Sequence, residues 1–177
     1  MARFAALLRG VNVGPTTRVP MAELRELLEE LGGSDVATLL NSGNAVLQIH
    51  ASPKSIDGIL SAAMTERFGF RVDVVTRTKR QLEAVLAHDP FGDLVTDESK
   101  SFVYFMPTPP RAAAIRPVLA AEYPDGELCE LKGREFYLWS PSGGAKSKAA
   151  EALKRSKAVE FSTARNVRTL RKILEIL

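Results

Sequence analysis

The feature that most limits what this chain can become is an order of elements that occurs twice. "RFAALLRG" is a short apolar run ending at Gly10 and reads as a strand. "MAELRELLEELGG" sets Leu24, Leu27, Leu28 and Leu31 at helical spacing, with acids on the opposite face and Gly32 as a stop. "DVATLL" and "AVLQIH" are strand-like and joined by "NSGN", a hairpin signal. "SPKSIDGILSAAMTERFG" is expected as a helix with Ser52 as N-cap and Pro53 at its first position. "FRVDVVTR" alternates as a strand, and "TKRQLEAVLAHD" reads as a helix capped by Thr78. After the turn-rich "PFGDLVTDESK" the order returns, offset by about a hundred residues. "SFVYFM" is a strand, and "TPPRAAAIRPVLAAEY" is a helix that Pro117 is expected to kink or interrupt. "ELCELKG" with "REFYLWS" is a hairpin, "AKSKAAEALKRSK" a helix, "VEFST" a strand and "ARNVRTLRKILEIL" a final helix.

A β-α-β-β-α-β unit most simply gives a four-stranded antiparallel sheet with two helices on one face, the ferredoxin-like arrangement. The expectation is therefore an α+β protein of tandem ferredoxin-like halves, residues 1–90 and 91–177, packed as one two-lobed unit. "FAALL" and "FVYFM" are apolar on both faces, so each sheet is expected to bury its second face as well. The repeat is one of element order and not visibly of residues.

Composition narrows the setting. Apolar residues make up 45% and charged residues 25%, close to the globular average, which argues against wholesale disorder. Cys129 stands alone, so neither an intrachain disulfide nor a cysteine-rich metal site can form. The apolar run between Arg3 and Arg9 is too short for a signal-peptide core, and no stretch approaches a membrane span. The expectation is a cytoplasmic protein without a membrane partner. Charge is uneven: residues 1–90 carry ten Lys/Arg and ten Asp/Glu, residues 91–144 five against eight, and residues 145–177 nine against three. The surplus of basic charge thus lies at the end of the chain, where it can recruit anions locally.

Topology turns that count into a place. In the first half, the loop after strand one and the "NSGN" hairpin meet at one end of the sheet. Arg9, Asn12, Asn41, Ser42 and Asn44 are expected to form a polar cleft there, with Arg18 nearby. In the second half, "SPSGGAKSK" and "STARN" meet at the other end. Two helix N-termini would face that corner, flanked by Lys146, Ser147, Lys148, Arg165, Asn166 and Arg168. Unpaired N–H groups and partial positive charge at helix N-termini favour anions.

With these segments in hand, the chain resembles the domain of unknown function 1697 family, an uncharacterised bacterial family. The matching stretches are "ALLRGVNVG" (6–14), "VPMAELRELLEELG" (19–32), "LLNSGNAV" (39–46), "ERFGFRVDVVTR" (66–77), "DPF" (89–91) and "STARN" (162–166). The resemblance implies the duplicated ferredoxin-like fold and no activity. It is broken at "GPTTR", where family members usually read Gly-Gly with basic residues, and at Val167, where they tend to carry an aromatic.

Several motifs have plainer readings. "RGVNVG" fits no nucleotide fingerprint, and "GGAKSK" lacks the glycine directly before the lysine that a P-loop needs. "KGREFYLW" (132–139) partly matches an RNA-binding strand, but Arg134 stands where a stacking aromatic belongs. His50 and His88 have no metal-ligand spacing, and no cofactor is indicated. Cys129 lies among apolar neighbours and reads as packing. The leading functional expectation is a non-catalytic anion-binding protein, for a phosphorylated small molecule or nucleic-acid backbone, acting through the basic corner. An enzyme using the polar cleft is the alternative, and a protein-interaction module the third.

Overall fold

Period-two and period-3.6 patterns resolve into two four-stranded antiparallel sheets in the computed structural model, which describes residues 1–177. The chain divides into two units, one made of Met1–Ala84 with Lys172–Leu177 and the other of Val85–Arg171. Each repeats the β-α-β-β-α-β order.

The first sheet has strands β1 (Ala2–Leu8), β2 (Ser34–Leu39), β3 (Asn44–Ile49) and β4 (Val74–Thr78), in the order β2-β3-β1-β4. Phe4, Ala6 and Leu8 of β1 share a face with Ala45, Leu47 and Ile49 of β3. That face packs on Leu24, Leu27 and Leu28 of α1 (Met21–Glu30) and on Ile56, Leu60 and Met64 of α2 (Ile56–Phe68). Each such buried side chain contributes about 1.5–3 kcal/mol. The opposite face, with Ala5, Leu7, Val46 and Val75, is buried too, as the two-faced apolarity of β1 requires.

One helix start differs from expectation. α2 begins at Ile56 and not at Pro53. The Ser52 hydroxyl is hydrogen-bonded to that of Ser55 (2.9 Å), and the Ser52 carbonyl accepts from the N–H groups of Ser55 and Ile56, making a separate turn. Ile56 is fully buried, so the first core residue sets the start in place of the local Ser-Pro preference.

The second sheet has strands β5 (Ser101–Phe105), β6 (Leu128–Lys132), β7 (Glu135–Trp139) and β8 (Thr163–Asn166), in the order β6-β7-β5-β8. Phe102, Tyr104, Phe136 and Leu138 face α4 (Ala112–Ala120) and α5 (Lys148–Ser156). Tyr104 meets Phe136 edge-on, ring centroids 5.9 Å apart, and burial pushes its phenol up to about 12. α4 runs on across Pro117, because the carbonyl that loses its partner belongs to the first turn. Ser101, Val103, Tyr137 and Arg165 point to the sheet's other face, since Val103 pairs with both Tyr137 and Arg165.

The duplication extends to residues at one place. Ala5 pairs with Arg77 in the first sheet as Val103 pairs with Arg165 in the second. Each arginine is buried and gives an N–H to the carbonyl of the residue before it, both at 2.8 Å. The next residues, Thr78 and Asn166, accept from the N–H groups of Gln81 and Thr169 and so cap α3 (Lys79–Ala87) and α6 (Val167–Ile176). "TRTKRQL" (76–82) and "ARNVRTL" (164–170) are thus equivalent segments.

Candidate functional site

The basic corner is built around an acid that belongs to the protein. Glu127 is buried beside the N-terminus of α5. Its carboxylate accepts from the hydroxyls of Ser140 (3.1 Å) and Ser147 (3.0 Å) and from the N–H groups of Lys148 (3.2 Å) and Ala149 (2.9 Å). The Ser147 hydroxyl in turn accepts from Ala150 N–H at 3.0 Å, as an N-cap. The donors that would greet an external anion are therefore occupied by an internal one. Burial, with the Glu127 charge adding to it, pushes the Cys129 thiol up to about 11.

The remaining residues of that corner separate. Lys146 is exposed, and Lys148 pairs with Glu151 at 3.1 Å. Asn166 caps α6. Arg165 lies on the sheet face opposite α4 and α5, where burial pushes its guanidinium down to about 10. Arg168 pairs with Asp97 at 3.1 Å, and Arg171 with Glu98 at 2.7 Å. Asp97 also accepts from the Ser99 hydroxyl and N–H, and these bonds hold its carboxyl below the usual range.

The loop and hairpin of the first unit do meet, as the topology requires. Leu8 N–H donates to Gly43 carbonyl at 2.9 Å. A Cβ at Gly43 would lie 2.5 Å from Val11 and 2.8 Å from Leu8, so only glycine lets the hairpin come this close. Asn12 donates to the carbonyls of Val19 (3.0 Å) and Asn41 (2.7 Å) and accepts from Val19 N–H. Asn44 is buried and donates to Leu39 carbonyl (2.8 Å) and Ser42 hydroxyl (3.1 Å). Arg9 pairs with Asp73 at 3.0 Å, and Arg18 is exposed. These side chains hold the loop to its neighbours.

A cavity of about 110 Å³ opens elsewhere, on the face of the second sheet that carries Ser101, Val103 and Tyr137. That volume holds about four water molecules at roughly 30 Å³ each. Its walls come from the end of α3, the segment 88–98 and the first turns of α6, with Asp89, Phe91, Val95, Glu98, Val167 and Arg171 among them. Ser101 is 7% exposed, and its hydroxyl has no hydrogen-bond partner in the protein. The oxygen itself keeps access to the cavity, so water satisfies it there and a guest would displace that water. Arg171 spends only Nε on Glu98, which leaves its two terminal nitrogens as donors.

His88 also lines the cavity but is fully engaged. Nε2 lies 2.6 Å from Glu130 and Nδ1 3.1 Å from Lys132 Nζ. An ammonium at Nδ1 makes that nitrogen the acceptor, so Nε2 carries the proton toward Glu130. The ring stands edge-on to Tyr137, centroids 4.9 Å apart. Sequence reasoning missed this site because its lining joins the stretch 85–103 to Tyr137 and to the start of α6, far apart in sequence. Two signals were present: "DPF" and Val167, both singled out by the family resemblance, lie on its wall.

No helix is long and apolar enough to cross a membrane. Residues 1–137 match a family described as "Protein of unknown function (DUF1697)". Over 100% of this chain and 98% of the other, the fold matches the structure of conserved bacterial protein SP0830 from Streptococcus pneumoniae, with a TM-score of 0.78 and 28% identity. No curated protein matches. The chain belongs to the DUF1697 family.

Proposed function

We propose that this member of the DUF1697 family binds a small anion-bearing molecule, without transforming it, in the cavity above Ser101. The observation that carries the reading is that one cavity is lined both by Ser101, whose hydroxyl has no partner within the protein, and by the exposed Arg171, whose two terminal guanidinium nitrogens are unused. Hydroxyl and guanidinium donors are what a carboxylate or phosphate monoester needs. The basic corner is the weaker place for an anion, because Glu127 already fills it. A cavity of about 110 Å³ suits a small metabolite better than nucleic-acid backbone, which is tracked along an open groove. Binding without chemistry fits the engaged state of His88 and a Cys129 thiol pushed up to about 11, away from the nucleophilic thiolate. The lone cysteine supports a place in the reducing cytoplasm.

The test is a titration of the 15N-labelled full chain with acetate and with inorganic phosphate, read by amide shifts. The expected result is a saturable change at Ser101 and Val103 that Ser101→Val and Arg171→Gln each weaken by about tenfold. If neither anion moves those amides, or both variants respond as the natural chain does, the reading is wrong.

A further inference from the structure

We infer that the guest of the Ser101 cavity is a zwitterion, a small molecule carrying an ammonium beside its carboxylate, as an α-amino acid does. This rests on the reading of the cavity as an anion-binding site and specifies what else the anion must carry. Three charged side chains line the cavity: Asp89, Glu98 and Arg171. Their sum is one negative charge, and the engaged His88 adds no free donor to offset it. A plain carboxylate would meet Arg171 but would also bring a second uncompensated negative charge toward Asp89 and Glu98. A phosphate monoester, nearly doubly charged, would be worse placed. Asp89 and Arg171 are exposed and Glu98 is partly exposed, so water screens this repulsion without removing it.

The acids also have capacity to spare. Glu98 uses Oε1 on Arg171, and Asp89 uses Oδ1 on Gly92 N–H at 3.2 Å, which leaves Oε2 and Oδ2 as acceptors. An ammonium fills those acceptors, as a carboxylate fills the donors of Arg171 and Ser101, and a zwitterion brings both with no net charge. The rest of the wall is hydrocarbon: Val85, Val95, Val103 and Val167, with Phe91. A polar head with two opposite charges and a short apolar tail matches this division. The volume of about 110 Å³ limits the tail to a few carbons.

The test uses matched sets, each a small amino acid with the acid lacking its amine and the amine lacking its carboxylate. 2-Aminobutyrate, butyrate and propylamine form one set; alanine and valine with their counterparts extend it. Affinities for the 15N-labelled full chain come from shifts at Ser101, Val103 and Phe91. At least one amino acid is expected to bind about tenfold tighter than both of its counterparts, with Asp89→Asn erasing its advantage over the acid and Arg171→Gln its advantage over the amine. Acids that bind as tightly as their amino acids would overturn the zwitterion and leave the anion site standing. Amines that bind as tightly, or a complete absence of shifts across all sets, would overturn both.

Discussion

The N-terminus of α5 and the cavity above Ser101 lie on opposite faces of one sheet, and they treat their polar groups in opposite ways. At α5 the hydroxyls of Ser140 and Ser147 and the first free N–H groups of the helix are taken by Glu127. In the cavity, whose lining is net acidic, the Ser101 hydroxyl and two guanidinium nitrogens of Arg171 are left over. The lesson is that net charge along a sequence says where charge is, and only the hydrogen-bond inventory says whether it is available. The acidic middle of the chain supplies Asp97, Glu98 and Glu127, which meet the basic last segment at Arg168, Arg171 and the α5 N-terminus. Much of the charge asymmetry is complementarity within one unit.

The largest effect that could break this contrast is at Glu127. Glu127→Ala leaves four donors around an empty carboxylate position and is expected to cost about 3 kcal/mol in urea unfolding. A loss below about 1 kcal/mol would mean those donors are readily satisfied from outside, and the corner would again be open to an anion. Next comes Val167→Phe, which puts a ring on the cavity wall. It should weaken ligand binding by about tenfold while changing stability by about 1 kcal/mol or less, checked by parallel titration and denaturation.

The two serines sharpen the comparison on a smaller scale. Ser147→Ala removes an N-cap and a donor to Glu127 and should cost about 1–2 kcal/mol. Ser101→Ala removes no hydrogen bond and should stay within about 0.5 kcal/mol. Equal costs at both positions would show that the Ser101 hydroxyl has a structural partner after all. The smallest effect is alkaline. Cys129 and Tyr104 are raised in the fold, to about 11 and about 12, from ordinary values of 9.0 and 10.0. The unfolded chain therefore loses these protons first, and stability should fall as pH rises from about 9 to about 11, above which Arg165, pushed down to about 10 by burial, opposes the trend. A melting temperature flat across that range would contradict the burial of both groups.

Most of the fold was legible because its signals are local. Leucines at three- and four-residue spacing, strands apolar on both faces and the hairpin at Gly43 each announce themselves within a dozen residues. The start of α2 was misread because a Ser-Pro pair is a local cue, and the seat of Ile56 under the first sheet overrode it. The site was less legible for the same reason turned round. Glu127 reaches Ser147 across twenty residues of chain, and Ser101 and Arg171, seventy residues apart, line one cavity because β8 beside β5 carries the chain into α6. Arg77 and Arg165 show the middle case: they occupy equivalent places in the two units, but the match appears only once strand pairing aligns them.

The most direct measurement is a diffraction experiment on crystals of the full chain soaked in 2-aminobutyrate and, separately, in phosphate. The account predicts density for the amino acid between Ser101, Arg171 and Asp89, with Glu127 still holding the α5 N-terminus in both crystals. Density for either molecule at Ser147 and Lys148, with Glu127 displaced and the cavity holding only water, would contradict it.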